Sequence, residues 1–120
     1  MILVDTSIWI DHFRRPVPEL AYLLDRDLVL QHPYVSGELL LGNPADRNEL
    51  VSFLESLDQA PICGTGAFAS YVEARTLGGT GIGFVDAHLL VTATLLACTV
   101  WTRDRRLAEQ AERLGLLHVA

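Results

Sequence analysis

The sequence predicts a three-layer α/β fold in which helices cover both faces of a central parallel sheet. Short, unbroken apolar runs recur as candidate strands, and segments with helical spacing of apolar residues separate each from the next. Strands joined in this way require right-handed crossovers, which lay helices on the sheet and bury its strands on both faces. The 120 residues contain no linker, internal repeat or low-complexity tract, so they read as one domain spanning 1–120.

Each element follows from local chemistry. Residues 2–4 are too few and too continuously apolar for a helix and read as a buried strand. A helix follows over 7–14, and Pro16 and Pro18 force a turn after it. Leu20, Leu23 and Leu24 give 19–25 the i, i+3, i+4 pattern of an amphipathic helix. Residues 28–30 form a second strand, broken at His32-Pro33, and a helix over 34–41 carries one acid, Glu38. Gly42-Asn-Pro44 is a stop followed by a proline suited to a helix start. The next helix, over 45–57, gathers Leu50, Val51, Phe53, Leu54 and Leu57 on one side. Residues 60–63 suggest a short strand and 66–77 another helix. The connector 78–83 has glycine at 78, 79, 81 and 83, but no Gly-Lys-Ser/Thr follows, so it reads as a helix-to-helix loop rather than a phosphate cradle. An apolar helix over 84–97, buried nearly all round, leads to a strand at 99–101. An amphipathic helix over 104–114 stops at Gly115, and 116–119 is the expected last strand.

Composition narrows the function. Half of the residues are hydrophobic and the mean hydropathy is +0.28, a surplus that points to apolar surface covered by association. No apolar run of about 18 residues is present to span a bilayer, and the amino terminus lacks the basic start of a signal peptide. Both indicate a cytoplasmic protein without membrane contact. Cys63 and Cys98 lack metal-type spacing and read as small core residues. A net charge of −6 argues against a protein that coats nucleic acid through a basic surface. It leaves open a nuclease whose acids hold cations, because the cations then supply the positive charge.

Four acids stand where solvation is a poor explanation. Asp5 ends the first apolar strand in Asp5-Thr-Ser7, and Asp104 follows a strand in Val100-Trp-Thr-Arg-Asp104. Glu38 lies mid-helix beside Leu39, Leu40 and Leu41, and Asp86 lies in the first turn of the apolar helix. Asp5 and Asp104 would equally serve as helix caps, and Asp86 would favourably face a helix amide end. An unpaired carboxylate in apolar surroundings is costly, so four of them imply a shared partner. All-oxygen ligation suits Mg²⁺ or Mn²⁺ better than Zn²⁺, and such a site suits phosphodiester hydrolysis. His12, His32, His88 and His118 have no partner at telling spacing and read as structural or surface residues. Trp9 and Trp101 read as core or dimer packing.

The ordered set, with Asp5-Thr-Ser7 after an N-terminal strand, a helical Glu38, Asp86-Ala and Thr102-Arg-Asp104, resembles the PIN-domain nucleases. Its order, spacing and length most resemble the VapC toxins of type II toxin–antitoxin pairs. The resemblance covers essentially the whole chain. It implies that Asp5, Glu38, Asp86 and Asp104 bind Mg²⁺ or Mn²⁺ for endonucleolytic RNA cleavage by activated water, with Ser7 and Thr102 as supporting hydroxyls. It also implies a homodimer, a VapB-like antitoxin reaching the acidic groove, and transfer or ribosomal RNA as substrate. Arg103 is the favoured candidate for a phosphate contact. Arg105-Arg106-Leu107 stands where many relatives carry another acid and an aromatic residue, so no fifth ligand is expected there, and Asp11 reads as a surface acid. Two other readings keep the fold: an RNA-processing or DNA-directed nuclease outside any toxin–antitoxin pair, and a binding module that has lost its chemistry.

Overall fold

β1 (Ile2–Val4) is the inner strand from which the sheet grows in both directions in the computed structural model, which describes residues 1–119. It pairs in parallel with β2 (Val29–Gln31), placing Leu3 opposite Leu30, and with β4 (Thr99–Trp101), placing Val4 opposite Trp101. A two-residue edge strand, β3 (Asp58–Gln59), completes the order β3-β2-β1-β4. The chain therefore winds outward from β1 to β3, then crosses back to lay β4 on the other side of β1. That reversal opens a crevice beyond the carboxyl ends of β1 and β4, the place where open α/β sheets bind ligands.

Seven helices fill the crossovers: α1 (Thr6–Arg14), α2 (Pro18–Asp25), α3 (Pro33–Leu41), α4 (Arg47–Glu55), α5 (Thr65–Ala74), α6 (Phe84–Leu96) and α7 (Arg105–Arg113). α3 packs on α1 and α4, while α6 packs on α5, α7 and β4, giving the expected layers on either side of the sheet. The core centres on α6, where every residue from Ala87 to Ala93 is buried. Leu89 and Leu90 are inaccessible to solvent, as are Leu3, Ile8 and Trp9 on the N-terminal unit. Burying each such side chain contributes roughly 1.5–3 kcal/mol.

Several elements depart from the sequence reading. The third strand is Asp58–Gln59 rather than 60–63. Only Ala60 continues the pairing, through its N–H to the Gln31 carbonyl, and Pro61 after it has no N–H to give. The expected last strand shrinks to one parallel bridge between Leu117 and Val100, and Val119 projects into solvent. The helix over 66–77 begins at Thr65 and ends at Ala74, because Thr76 turns to a positive φ of 54°. α4 is Arg47–Glu55, capped by the Asp46 carboxylate, so it is shorter than 45–57. α6 is buried only along its middle: Phe84 at its start and Leu95 and Leu96 at its end are exposed.

The turn from α6 into β4 puts a side chain where glycine is favoured. Ala97 closes the helix in the left-handed region, at φ 54° and ψ 45°, and its N–H bonds back to Thr94 and Ala93. A Cβ costs energy there and glycine does not. Ala97→Gly is expected to stabilise the protein by about 0.5–1 kcal/mol, measurable as a raised urea midpoint with unchanged slope.

An acidic candidate active site at the switch point

Asp5 reaches the crevice because β1 ends there and α1 begins. Its backbone N–H still donates to the Trp101 carbonyl, which keeps β1 and β4 in register to the last residue. Its carboxylate, only 4% exposed, accepts the Ser7 hydroxyl at 2.7 Å and the Thr102 hydroxyl at 2.7 Å, both on Oδ2. The Ser7 N–H also points at Oδ2, at 3.4 Å, which makes Asp5 the cap of α1. The sequence leaves cap and site as alternatives for Asp5. The structure shows that Asp5 caps with one oxygen and keeps Oδ1 for another partner.

The C-terminal half of the site is built on the same hydroxyls. The Ser7 hydroxyl accepts the Arg103 N–H at 3.0 Å, and the Thr102 hydroxyl accepts the Asp104 N–H at 2.9 Å. Asp104 in turn caps α7, its Oδ1 accepting the Leu107 N–H at 3.0 Å. Glu38, exposed on α3, accepts the Thr6 hydroxyl at 2.7 Å through Oε1. Asp5, Asp104 and Glu38 thus each spend one oxygen on the protein and leave the other free.

Asp86 is the outlier. It occupies the first turn of α6, whose cap Gly83 offers no side chain, and it takes no part in the hydrogen bonds that fix the other three acids. An acid facing a helix amide end ordinarily ionises easily. Here burial, followed by the negative charges of Asp5, Asp104 and Glu38, pushes its pKa up from 3.8 to about 7. The connector before it is tied to α7 by Arg106, whose Nη1 donates to the Gly81 carbonyl at 3.3 Å.

Among the described residues, no three His, Cys, Asp or Glu side chains stand close enough together to hold a metal ion as they are. The four acids are held around the crevice by their separate caps and hydroxyls rather than drawn to a point. Their chemistry nevertheless fits a divalent cation. They offer hard oxygen donors, each of the hydrogen-bonded three has a free oxygen, and none of the ion pairs among the described residues involves any of the four. Burial first, and then repulsion by the other three acids, makes Asp86 costly to ionise.

Other sequence candidates fall outside this cluster. Arg103 pairs with Asp11 on α1, both partly exposed, so Asp11 is not a bare surface acid and Arg103 is turned along α1. A phosphate contact from Arg103 would have to compete with that pair. All four histidines have structural partners. His12 accepts the Val17 N–H and His118 meets Glu19 at 3.0 Å. His32 caps α3 by accepting the Tyr34 N–H; burial, then the charge of His88, holds its pKa down at about 4. Capping is normally assigned to Ser, Thr, Asp or Asn, and the signal that reveals His32 is Pro33 at the first helical position. His88 stacks on Phe68 at 4.3 Å, facing away from Asp86 as their helical spacing requires. Cys98 is buried and Cys63 lies 3.6 Å from His88 Nδ1, and both thiols are free.

The burial of Asp86 and its repulsion by the other acids have a measurable consequence for metal-free protein. Its folded pKa lies above its unfolded value, so the folded state holds the extra proton; stability is greatest below pH 4 on this account and falls as pH rises through 7. Asp86→Asn removes that loss. In chelator at pH 8 the variant is expected to be more stable than the parent by on the order of 1–2 kcal/mol after allowing for solvent screening. The gap should close toward pH 4 in urea unfolding curves taken across that range.

Comparison with known proteins agrees with this architecture. Residues 2–113 match the PIN domain model. The chain is 39% identical over 117 residues to Ribonuclease VapC32 of Mycobacterium tuberculosis, covering 97% of this chain and 94% of that one. Among solved structures, FitAcB from Neisseria gonorrhoeae superposes with a TM-score of 0.63 at 24% identity, covering 93% of this chain and 94% of that one. PAE2754 from Pyrobaculum aerophilum superposes at 0.64 and 16% identity, covering 92% and 79%. The two structures speak to the fold alone; the domain match and the VapC relative, spanning nearly the whole chain, show that it belongs to the PIN-domain family, in its VapC branch.

Proposed function

We propose that the protein is a divalent-metal-dependent endoribonuclease and the toxin of a type II toxin–antitoxin pair, acting in the cytoplasm as one PIN domain over residues 1–120. The observation that carries this reading is the convergence of Asp5, Glu38, Asp86 and Asp104 on one crevice with no ion pair to any of them among the described residues, where burial first and then the charges of the other three push Asp86 up to about 7. The name of its relative, Ribonuclease VapC32, supports RNA as substrate.

A Mg²⁺ or Mn²⁺ ion bound by these acids would supply Lewis acidity at the phosphodiester and lower the pKa of water beside it. The residues do the positioning. Ser7 and Thr102 clamp Asp5 Oδ2, which aims Oδ1 into the crevice. Asp104 is held at the same edge by its bond to Thr102 and its cap to α7, and Glu38 by Thr6. Asp86, free of such bonds, is the acid best able to adjust when a cation neutralises the cluster. Water would be the attacking group, since the Ser7 and Thr102 hydroxyls are committed to Asp5 and the Thr6 hydroxyl to Glu38, which leaves none of the three as a covalent nucleophile.

An antitoxin and a second copy of the chain complete the reading. A groove of about 360 Å³ between α1, α3 and α4 begins at Glu38 and continues past Ile10, Phe13 and Leu50. Its apolar walls suit an antitoxin segment with apolar anchors, and the segment's basic side chain would meet Glu38 while the Arg14 that also lines the groove would take an acidic one. Leu41, Leu95 and Leu96 are exposed elsewhere for a homodimer contact.

Asp5→Asn and Asp86→Asn are each expected to lower RNA cleavage by well over about a hundredfold without unfolding, since losing even the partner of a metal ligand costs about 10- to 100-fold. Thr102→Val, which removes the clamp on Asp5 and the acceptor of the Asp104 N–H while sparing all four acids, should fall within that smaller range, mostly in kcat. Purified Asp5→Asn protein cutting RNA at the wild-type rate would overturn the reading. Millimolar Mg²⁺ or Mn²⁺ should raise the melting temperature of the parent, the stabilisation amounting to ~2.7 kcal/mol at 100 times Kd. The same ions should have little effect on Asp5→Asn.

A further inference from the structure

An aromatic ledge stands at the amino end of α6, on the other side of that helix from Asp86 and joined through Tyr34 to the helix that carries Glu38. Phe84, the first residue of α6 and two before Asp86, is 61% exposed although three rings hold it. Tyr34 lies 5.7 Å from it, Phe68 5.5 Å and His88 4.6 Å, centroid to centroid. Phe68 and His88 are themselves stacked, and Tyr34 meets His88 edge to face at 4.9 Å. Tyr34 precedes Glu38 by four residues on α3, so it shares a face with that acid. The amino ends of the two helices that carry Glu38 and Asp86 therefore meet in one aromatic cluster, whose outermost ring is fixed in place and open to solvent.

We infer that Phe84 is a stacking platform for an unpaired base of the RNA, next to the phosphate engaged by the acids. The inference rests on the ribonuclease reading and adds a binding subsite to it. An exposed phenyl ring offers a π-face and no polar group, which suits any base and selects for single-stranded over paired substrate. The chain carries a net charge of −6 and so gains little from general attraction to phosphates. A neutral stacking contact avoids that difficulty. Because the supporting rings belong to α3, α5 and α6, the platform is positioned by the same elements that position Glu38 and Asp86.

The test uses the full chain with Asp5→Asn, which should bind without cutting. Two fluorescent probes of about 12 nucleotides, within the length that such surfaces engage, are titrated by anisotropy: single-stranded RNA of mixed sequence, and an oligomer with the same backbone but abasic sugars. Phe84→Leu keeps an apolar side chain and removes the ring, and Phe84→Trp keeps a ring. Phe84→Leu should weaken RNA binding by about tenfold and leave abasic binding unchanged, while Phe84→Trp should match the parent. Equal RNA binding by the Leu variant and the parent overturns the inference. So do a parallel loss on both probes, no RNA binding at all, and a loss of self-association by light scattering as the sole effect of Phe84→Leu. Cleavage of total cellular RNA by the otherwise native protein separates the two levels. No cleavage defeats the ribonuclease reading, whereas cleavage unaltered in kcat and KM by Phe84→Leu defeats the platform alone.

Discussion

The hydrogen bond from the Thr102 hydroxyl to Asp5 Oδ2 is the constraint on which the site depends. It joins residues 97 positions apart in sequence, at the one place where the sheet changes direction. The same hydroxyl accepts the Asp104 N–H, and the same carboxylate oxygen holds Ser7, which receives the Arg103 N–H. Two strand ends, two helix starts and two of the four acids are thereby locked into one network. A carboxylate buried to this degree would be costly without such partners; with them it becomes a rigid, oriented donor.

The acids around it pull against the stability of the fold. Three are held by ordinary caps and hydroxyls, which satisfy one oxygen each, and the fourth sits in their combined field with burial adding to its cost. Helix amide ends face this edge from α1, α3, α6 and α7, yet their partial charges do not offset the repulsion felt by Asp86. Strain of this kind is what a site retains when its residues are chosen for what they bind rather than for the folding of the chain alone.

Much of this was legible in the sequence because the signals are local. The four-residue apolar run ending at Asp5, the short strand pattern preceding Thr102, and the Leu spacing of 20, 23 and 24 specify elements without reference to anything distant. The convergence of the acids followed from strand ends and a parallel topology. Edge strands were less legible. Asp58 and Gln59 are polar and exposed, so nothing in their own chemistry marks them as paired. Their position is set by the register of β2, as is that of Leu117 by β4. That the two readings of Asp5 and Asp104 are compatible was hidden for a different reason: composition presents cap and ligand as rivals, whereas each carboxylate caps its helix with one of two oxygens. The Phe84 cluster was invisible because its rings come from three separate helices.

The topology also fixes when the site comes into being. β1 is synthesised first, but one of its two neighbours, β4, is nearly the last strand made, and Thr102 and Asp104 follow it. Until those residues have left the ribosome, Asp5 lacks its clamp and the cluster lacks a member. A nascent chain that stalls before residue 104 is thus an incomplete sheet with no assembled centre. On the ribonuclease reading proposed above, this order confines assembly of the site to the completed chain.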